Sequence, residues 1–94
     1  MILEWSADAL GDLERFADFL HDRYPQYARM IGQALVDASL LILDHPEIGR
    51  PLEGRPEFRQ LTLHALNAPY VLQYRVDGDR LVILRIFHGR EGRK

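Results

Sequence analysis

The chain has 94 residues, 47% of them hydrophobic and 28% charged, the composition of one ordinary globular domain. It contains no cysteine, which excludes a disulfide framework, a thiol nucleophile and cysteine-based metal sites. A formal net charge of −2 argues against a protein whose main task is gripping nucleic-acid backbone.

Charge is unevenly distributed. Residues 1–49 hold nine acidic side chains against Arg15, Arg23 and Arg29, a balance of −6, whereas residues 50–94 hold eight arginines and Lys94 against five acids, a balance of +4. The later half is therefore expected to prefer anions or acidic partners, unless the charges form only a mixed, solvated surface. No apolar run approaches the roughly 20 residues needed to span a bilayer. The opening MILEWSADALGDLE turns acidic early, so a signal peptide is not expected. The expectation is a single domain over residues 1–94 in the cytoplasm, with no membrane contact.

In chain order, ILEW (2–5) reads as a short strand and Ser6 as the N-cap of a helix, with Asp8 in its first turn. Trp5 and Leu10 then occupy the two positions of a hydrophobic staple. Leu10, Leu13, Ala17, Leu20 and Tyr24 recur at helical spacing, widened by Phe16, while Asp12, Arg15, Asp18 and Asp22 fill the remaining surface. Pro25 suits the first turn of a second helix, whose stripe is Ala28, Ile31, Leu35, Ala38 and Ile42, broadened by Tyr27, Ala34 and Leu41. With almost no linker between them, the two helices predict an antiparallel hairpin. The segment DHPEIGRPLEGRPE (44–57) carries three prolines and two glycines and predicts a loop.

Three strands are predicted next, over 57–63, 70–76 and 80–88, the last two joined through VDGDR, where Asp-Gly supplies the positive φ of a tight turn. Tyr70, Leu72, Tyr74 and Val76 share one face. Val82, Leu84 and Ile86 join them if the loop has three residues, leaving Val71, Gln73, Arg75, Leu81, Ile83, Arg85 and Phe87 opposite. A two-residue turn exchanges the faces, so the register stays open. The predicted architecture is α+β, in the order β-α-α-β-β-β, a helical hairpin packed on a mainly antiparallel sheet.

Several segments resemble the RelE/ParE superfamily of type II toxins, on its ParE-like side. They are Ala9-x-x-Asp12-Leu13-x-x-Phe16, Pro25-x-x-Ala28, the run from Leu43 through Pro46 to Gly49-Arg50, Phe58-Arg59-Gln60-Leu61, the run from Tyr70 through Tyr74 to Val76, and Ile83 to Arg90. The resemblance implies a toxin held inactive by a cognate, ParD-like antitoxin that wraps it as a helix and an extended segment, forming a hetero-oligomer. ParE-like members poison DNA gyrase by binding, a role linked to plasmid stabilisation. RelE-like members instead cut mRNA in the ribosome.

On the ParE-like reading, Arg85, His88, Arg90, Arg93 and Lys94 form the target-binding end, and Arg59, Val71, Gln73, Arg75, Ile83 and Phe87 meet the antitoxin. No catalytic residue, cofactor, metal or sequence-specific nucleic-acid contact is then required. On the ribonuclease reading His88 supplies acid–base chemistry and Arg90 and Arg85 stabilise phosphate. Against it, the tail EGRK lacks the tyrosine such toxins usually carry beyond the last strand. A third reading is a fold that binds antitoxin without toxicity. Arg59, Arg75 and Arg85 are also open to a purely structural role in pairing with nearby acids. Arg50 is expected to anchor the 44–57 loop, and His45 to sit at a helix C-terminus. Four scattered histidines without ligand spacing make a metal site unexpected.

Overall fold

The structure, a computed structural model, describes residues 1–66 and 68–88. Strand β1 (Ile2–Trp5) leads into α1 (Ala7–Arg23) and α2 (Pro25–Asp44). These are followed by β2 (Arg50–Leu52), β3 (Arg55–Ala65), β4 (Ala68–Asp77) and β5 (Arg80–His88). The sheet order is β1-β5-β4-β3-β2, with β1 parallel to β5 and the other pairs antiparallel. The α+β hairpin-on-sheet architecture is as expected. The difference is β2, three residues inside the segment predicted as loop, where Arg50 and Pro51 pair with Gln60 and Arg59.

Local chemistry sets the helices. Ser6 is extended, and its Oγ accepts the Ala9 N–H at 3.0 Å, satisfying one orphan donor of α1. Tyr24 closes α1 by donating its N–H to the Leu20 carbonyl, and Pro25 opens α2 at a position where no N–H is needed. Leu10, placed in a staple, is 52% exposed, whereas Trp5 packs on the core. The buried stripe of α1 runs through Ala9 and Asp12 to the partly buried Leu13, Phe16 and Leu20. Asp12 therefore lies inside, not on the solvated surface where the periodicity had placed it.

The core joins Ile31, Leu35, Ala38 and Ile42 of α2 to Tyr70, Leu72 and Tyr74 of β4 and Leu81, Ile83 and Ile86 of β5. Asp77 pairs with Arg80, so the hairpin loop is the two residues Gly78 and Asp79, with Gly78 at φ +63°. Of the two groupings left open, the two-residue turn selects the second: Leu81 and Ile83, not Val82 and Leu84, share the core face with Tyr74. The pairing then slips. Tyr74 opposes Ile83 but Gln73 opposes Arg85, leaving Leu84 as an extra residue in a β-bulge. Beyond the bulge Ile86 and His88 return to the core face, opposite Leu72 and Tyr70.

On the β2 side, Tyr74 fastens the segment before β2. Its hydroxyl donates to the Pro46 carbonyl (2.7 Å) and accepts the Gly49 N–H (2.8 Å). Burial pushes the Tyr74 phenol pKa up, against the opposing pull of the Gly49 bond and the Arg59 charge, so the group stays a neutral donor. A Cβ at Gly49 would lie 2.5 Å from the Tyr74 hydroxyl, which is why glycine stands there.

Candidate functional site

The end of β5 is shaped by the shortness of β1. Strand β1 pairs only as far as Trp5 opposite Ile83, yet β5 continues to His88. Unpaired backbone groups there need other partners. The Ser6 N–H bonds the Ile83 carbonyl at 2.9 Å and the Ser6 hydroxyl donates to the Leu84 carbonyl at 2.8 Å. Further along α1, Asp12 Oδ2 accepts the Ile86 N–H at 2.8 Å. A capping serine and a buried aspartate thus take over the edge that β1 leaves bare.

The same carboxylate gathers two arginines. Arg85 donates through Nε to Oδ2 (2.8 Å) and through Nη2 to Oδ1 (3.0 Å), while Arg15 Nη1 reaches Oδ1 at 3.1 Å. Burial alone would raise the Asp12 pKa. The Arg85 hydrogen bond, the Ile86 N–H, the Arg85 charge and the Arg15 bond outweigh it and hold Asp12 below the ordinary carboxylate value. Arg85 also lies over the Phe87 ring (5.1 Å to the centroid) and Arg15 over Phe16 (4.8 Å). Asp12 stood in the first-helix motif without a site role, and Arg15 was read only as helix surface. The signal that would have found Asp12 is its spacing, three residues after Ala9 and four before Phe16, on the buried stripe.

His88 is elsewhere. It opposes Tyr70 on the helix-facing side, and the two rings meet edge-on with centroids 5.3 Å apart; Tyr70 in turn meets Phe16 at 5.7 Å. With Phe19, Tyr24, Tyr27 and Leu66 these residues line an apolar cavity of about 260 Å³ between the helical hairpin and the β3–β4 turn. Arg90, Arg93 and Lys94 of the expected target-binding end lie outside the described residues.

The six residues expected to meet an antitoxin do not share one surface. Val71, Gln73, Arg75 and Phe87 occupy the sheet face turned away from the helices, with Val71 directly opposite Phe87. Phe58 stacks there with Arg55 (4.6 Å) and Arg75 (5.5 Å), and Arg75 Nε is buried without a hydrogen-bond partner. Ile83 is fully buried in the core, because the two-residue turn sets it opposite Tyr74, and the bulge that follows turns Phe87 to the other face. Arg59 stands opposite Tyr74 and donates to the Gly49 carbonyl at 2.7 Å and the Glu47 carbonyl at 3.3 Å. Anchoring that loop, expected of Arg50, falls to Arg59; Arg50 is exposed.

Among the described residues the arrangement offers fixed cations and apolar surface, with His88 and Arg85 on opposite faces of β5. Among the described residues no group of histidine and carboxylate side chains is placed to hold a metal ion, and no helix is long and apolar enough to cross a membrane.

Comparison with known proteins places this geometry. The chain is 31% identical over 88 residues to Toxin RelE1 of Caulobacter vibrioides, covering 94% of this chain and 92% of that protein. A solved structure described as the chromosomal ParDE TA system from P. aeruginosa superposes with a TM-score of 0.75 at 30% identity, covering 94% of this chain and 95% of the other. The model of the family described as ParE toxin of type II toxin-antitoxin system, parDE, matches residues 3–92, and the chain therefore belongs to that family of toxins.

Proposed function

We propose that this chain is a ParE-like toxin that arrests cells by binding DNA gyrase and is neutralised by a cognate antitoxin. The observation that carries the reading is that His88 and Arg85, the two ribonuclease candidates among the described residues, lie on opposite faces of β5. His88 sits on the helix-facing side against Tyr70. Arg85 is bonded twice to Asp12, and Arg59 is engaged with loop carbonyls. General acid–base cleavage of RNA needs a base and phosphate-stabilising cations converging on one reacting group. His88 and Arg85 do not converge in this way; Arg90 lies outside the described residues. An arginine fixed in place, as Arg85 is on Asp12, suits recognition of a partner surface instead, where charge sets specificity and encounter rate. The antitoxin partner is supported by the ParDE system described for the P. aeruginosa relative. Gyrase as target rests on the ParE-like resemblance, and the cytoplasm as location on gyrase being there.

One experiment separates the readings. The purified chain is added to gyrase with supercoiled DNA and, separately, to a reconstituted translation reaction. The expected result is accumulation of cleaved DNA trapped on gyrase, with transcripts intact. Transcripts cut at the ribosome, with supercoiling untouched, would establish the ribonuclease alternative, which the relative named RelE1 keeps in view.

A further inference from the structure

We infer that the sheet face turned away from the helices receives an extended segment of the antitoxin, which sets an acidic side chain on Arg75 and an apolar one on Val71 and Phe87. The inference rests on the reading that an antitoxin neutralises the chain, and it names the surface and the side-chain chemistry of that contact.

The face is marked by an arginine whose donors meet no acceptor. Arg75 lies over the Phe58 ring, and its Nε is enclosed without a hydrogen-bond partner. A donor shielded from water and left unmet is a cost to the fold, and a charged donor more so. Of the acids nearby, Glu57 bonds Arg55 and Glu4 bonds Arg80, each at 3.1 Å. Glu57 senses the Arg75 charge through space, but among the described residues no acid forms an ion pair with Arg75. The Nη nitrogens are not enclosed, so a carboxylate can take both of them end-on. A braced guanidinium that has already lost part of its hydration gains more from that anion than a fully solvated one does. Arg50, exposed on β2 opposite Gln60, adds a second cation to the same face.

The rest of the face fixes the form of the ligand. Val71 opposes Phe87, and both are partly exposed. Val71, Gln73 and Arg75 alternate onto one side of β4, so the apolar and cationic contacts lie four residues apart, about 13 Å along the strand. An extended segment laid along β4 spans that distance between its own positions i and i+4, whose side chains point the same way. A helix needs about nine residues for the same span. Between the two contacts Gln73 faces Gln60. Their amides donate and accept, as the unpaired peptide groups of an extended chain require and those of a helix do not. Nucleic acid fits less well, because an apolar contact alternates with the cation and the whole chain carries −2.

The probe is the protein encoded in the reading frame beside that of this chain, and the readouts are its affinity for the chain and the chain's own Tm. Arg75→Met keeps an apolar stem on Phe58 and removes the unmet donor. Affinity should fall about tenfold or more while Tm holds or rises, a combination that a structural arginine does not give. Arg75→Lys, a point charge that cannot grip a carboxylate with two nitrogens, should lose less than Arg75→Met without matching the wild type. Val71→Gln should weaken binding several-fold with little change in Tm. Double-mutant cycles pair Arg75→Met with alanine at each acidic residue of the partner. They should find one coupled position, four residues from an apolar residue that couples to Val71→Gln.

Affinity unchanged by both Arg75→Met and Val71→Gln overturns the surface while the antitoxin reading stands. So does a Tm that falls together with affinity, which would make Arg75 a structural residue. Coupled positions about nine residues apart overturn the extended form, and Arg75-dependent binding of an RNA or DNA oligonucleotide would make phosphate the ligand. If the neighbouring protein neither binds the wild-type chain nor relieves its growth arrest, the antitoxin reading falls and the inference falls with it.

Discussion

Two clusters fasten irregular backbone to the sheet, and they differ in kind. On the β2 side a neutral phenol, Tyr74, ties down Pro46 and Gly49, and Arg59 spends its donors on carbonyls of the same loop. On the β1 side a charged carboxylate, Asp12, ties down the β5 bulge and holds two arginines whose side chains remain about half exposed. The first cluster consumes its cation internally. The second holds its cations at the surface, on a carboxylate that is itself buried. An arginine's position in a motif therefore does not decide its role; what its donors are bonded to does.

The largest effect that would break this comparison is Asp12→Ala. It leaves the Ile86 N–H unmet and two arginines without their anion. Leaving that buried N–H unmet costs about 1–3 kcal/mol, and losing the bonds to the half-exposed arginines adds about 1 more, together a large part of the stability of a domain this size. The expected outcome, read by denaturant unfolding, is a midpoint lowered far more than by Arg15→Ala, whose side chain is half exposed. Equal effects would show that Asp12 is not the centre of the cluster.

Acid sharpens the same point. The Asp12 carboxyl is held below its ordinary value of 3.8, so folding binds fewer protons there than unfolding does. Its stabilising contribution is complete above 3.8, declines as pH falls beneath it and is gone below the native value. The partners that face it, Arg15 on α1 and Arg85 on β5, stay charged throughout. Unfolding curves between pH 2 and 6 should show this acid limb in the wild type and its loss in Asp12→Asn.

Gly49→Ala probes the neutral cluster. Its new methyl collides with the Tyr74 ring, and overpacking of this kind costs about 1–3 kcal/mol. For a domain of this length that is a fall in Tm of several degrees, on the order of 4–8 °C per kcal/mol. Growth arrest below the new Tm should persist, because no displayed cation is disturbed. A folded Gly49→Ala protein that no longer arrests growth would erase the distinction between the two clusters.

Much of this was legible in the sequence. Both helices, the Ser6 cap, the Pro25 start and the Asp-Gly hairpin announce themselves through spacing and turn chemistry. The register of β5 did not. LVILRIF is apolar at every position but one, so no alternation marks which face is inside, and a bulge leaves no composition of its own. Strand β2 was hidden by Pro51, which an edge position tolerates. Asp12 was misplaced because a charged residue on a helix is normally solvated; its burial depends on Arg85 and Ile86, 73 and 74 residues away. Pro46-x-x-Gly49, Arg59 and Tyr74 were each visible as motif fragments, but only the fold shows them as one set of contacts.

The smallest expected effect comes from Ser6, which serves the charged region in two ways. Its Oγ accepts from Ala9 to cap α1 and donates to the Leu84 carbonyl at the bulge. Ser6→Ala removes both, and loss of an N-cap alone costs about 0.5–2 kcal/mol. Ser6→Asp separates the two roles, since a carboxylate caps the helix well but has no proton to give Leu84 and is repelled by its oxygen. If the serine acts only as a cap, Ser6→Asp is as stable as the wild type. If anchoring the bulge matters, it falls toward Ser6→Ala, and amide exchange at Leu84 through Ile86 quickens while Tyr74 and Gly49 stay protected. Exchange quickening equally on both sides of the sheet would mean that the two clusters open as one unit.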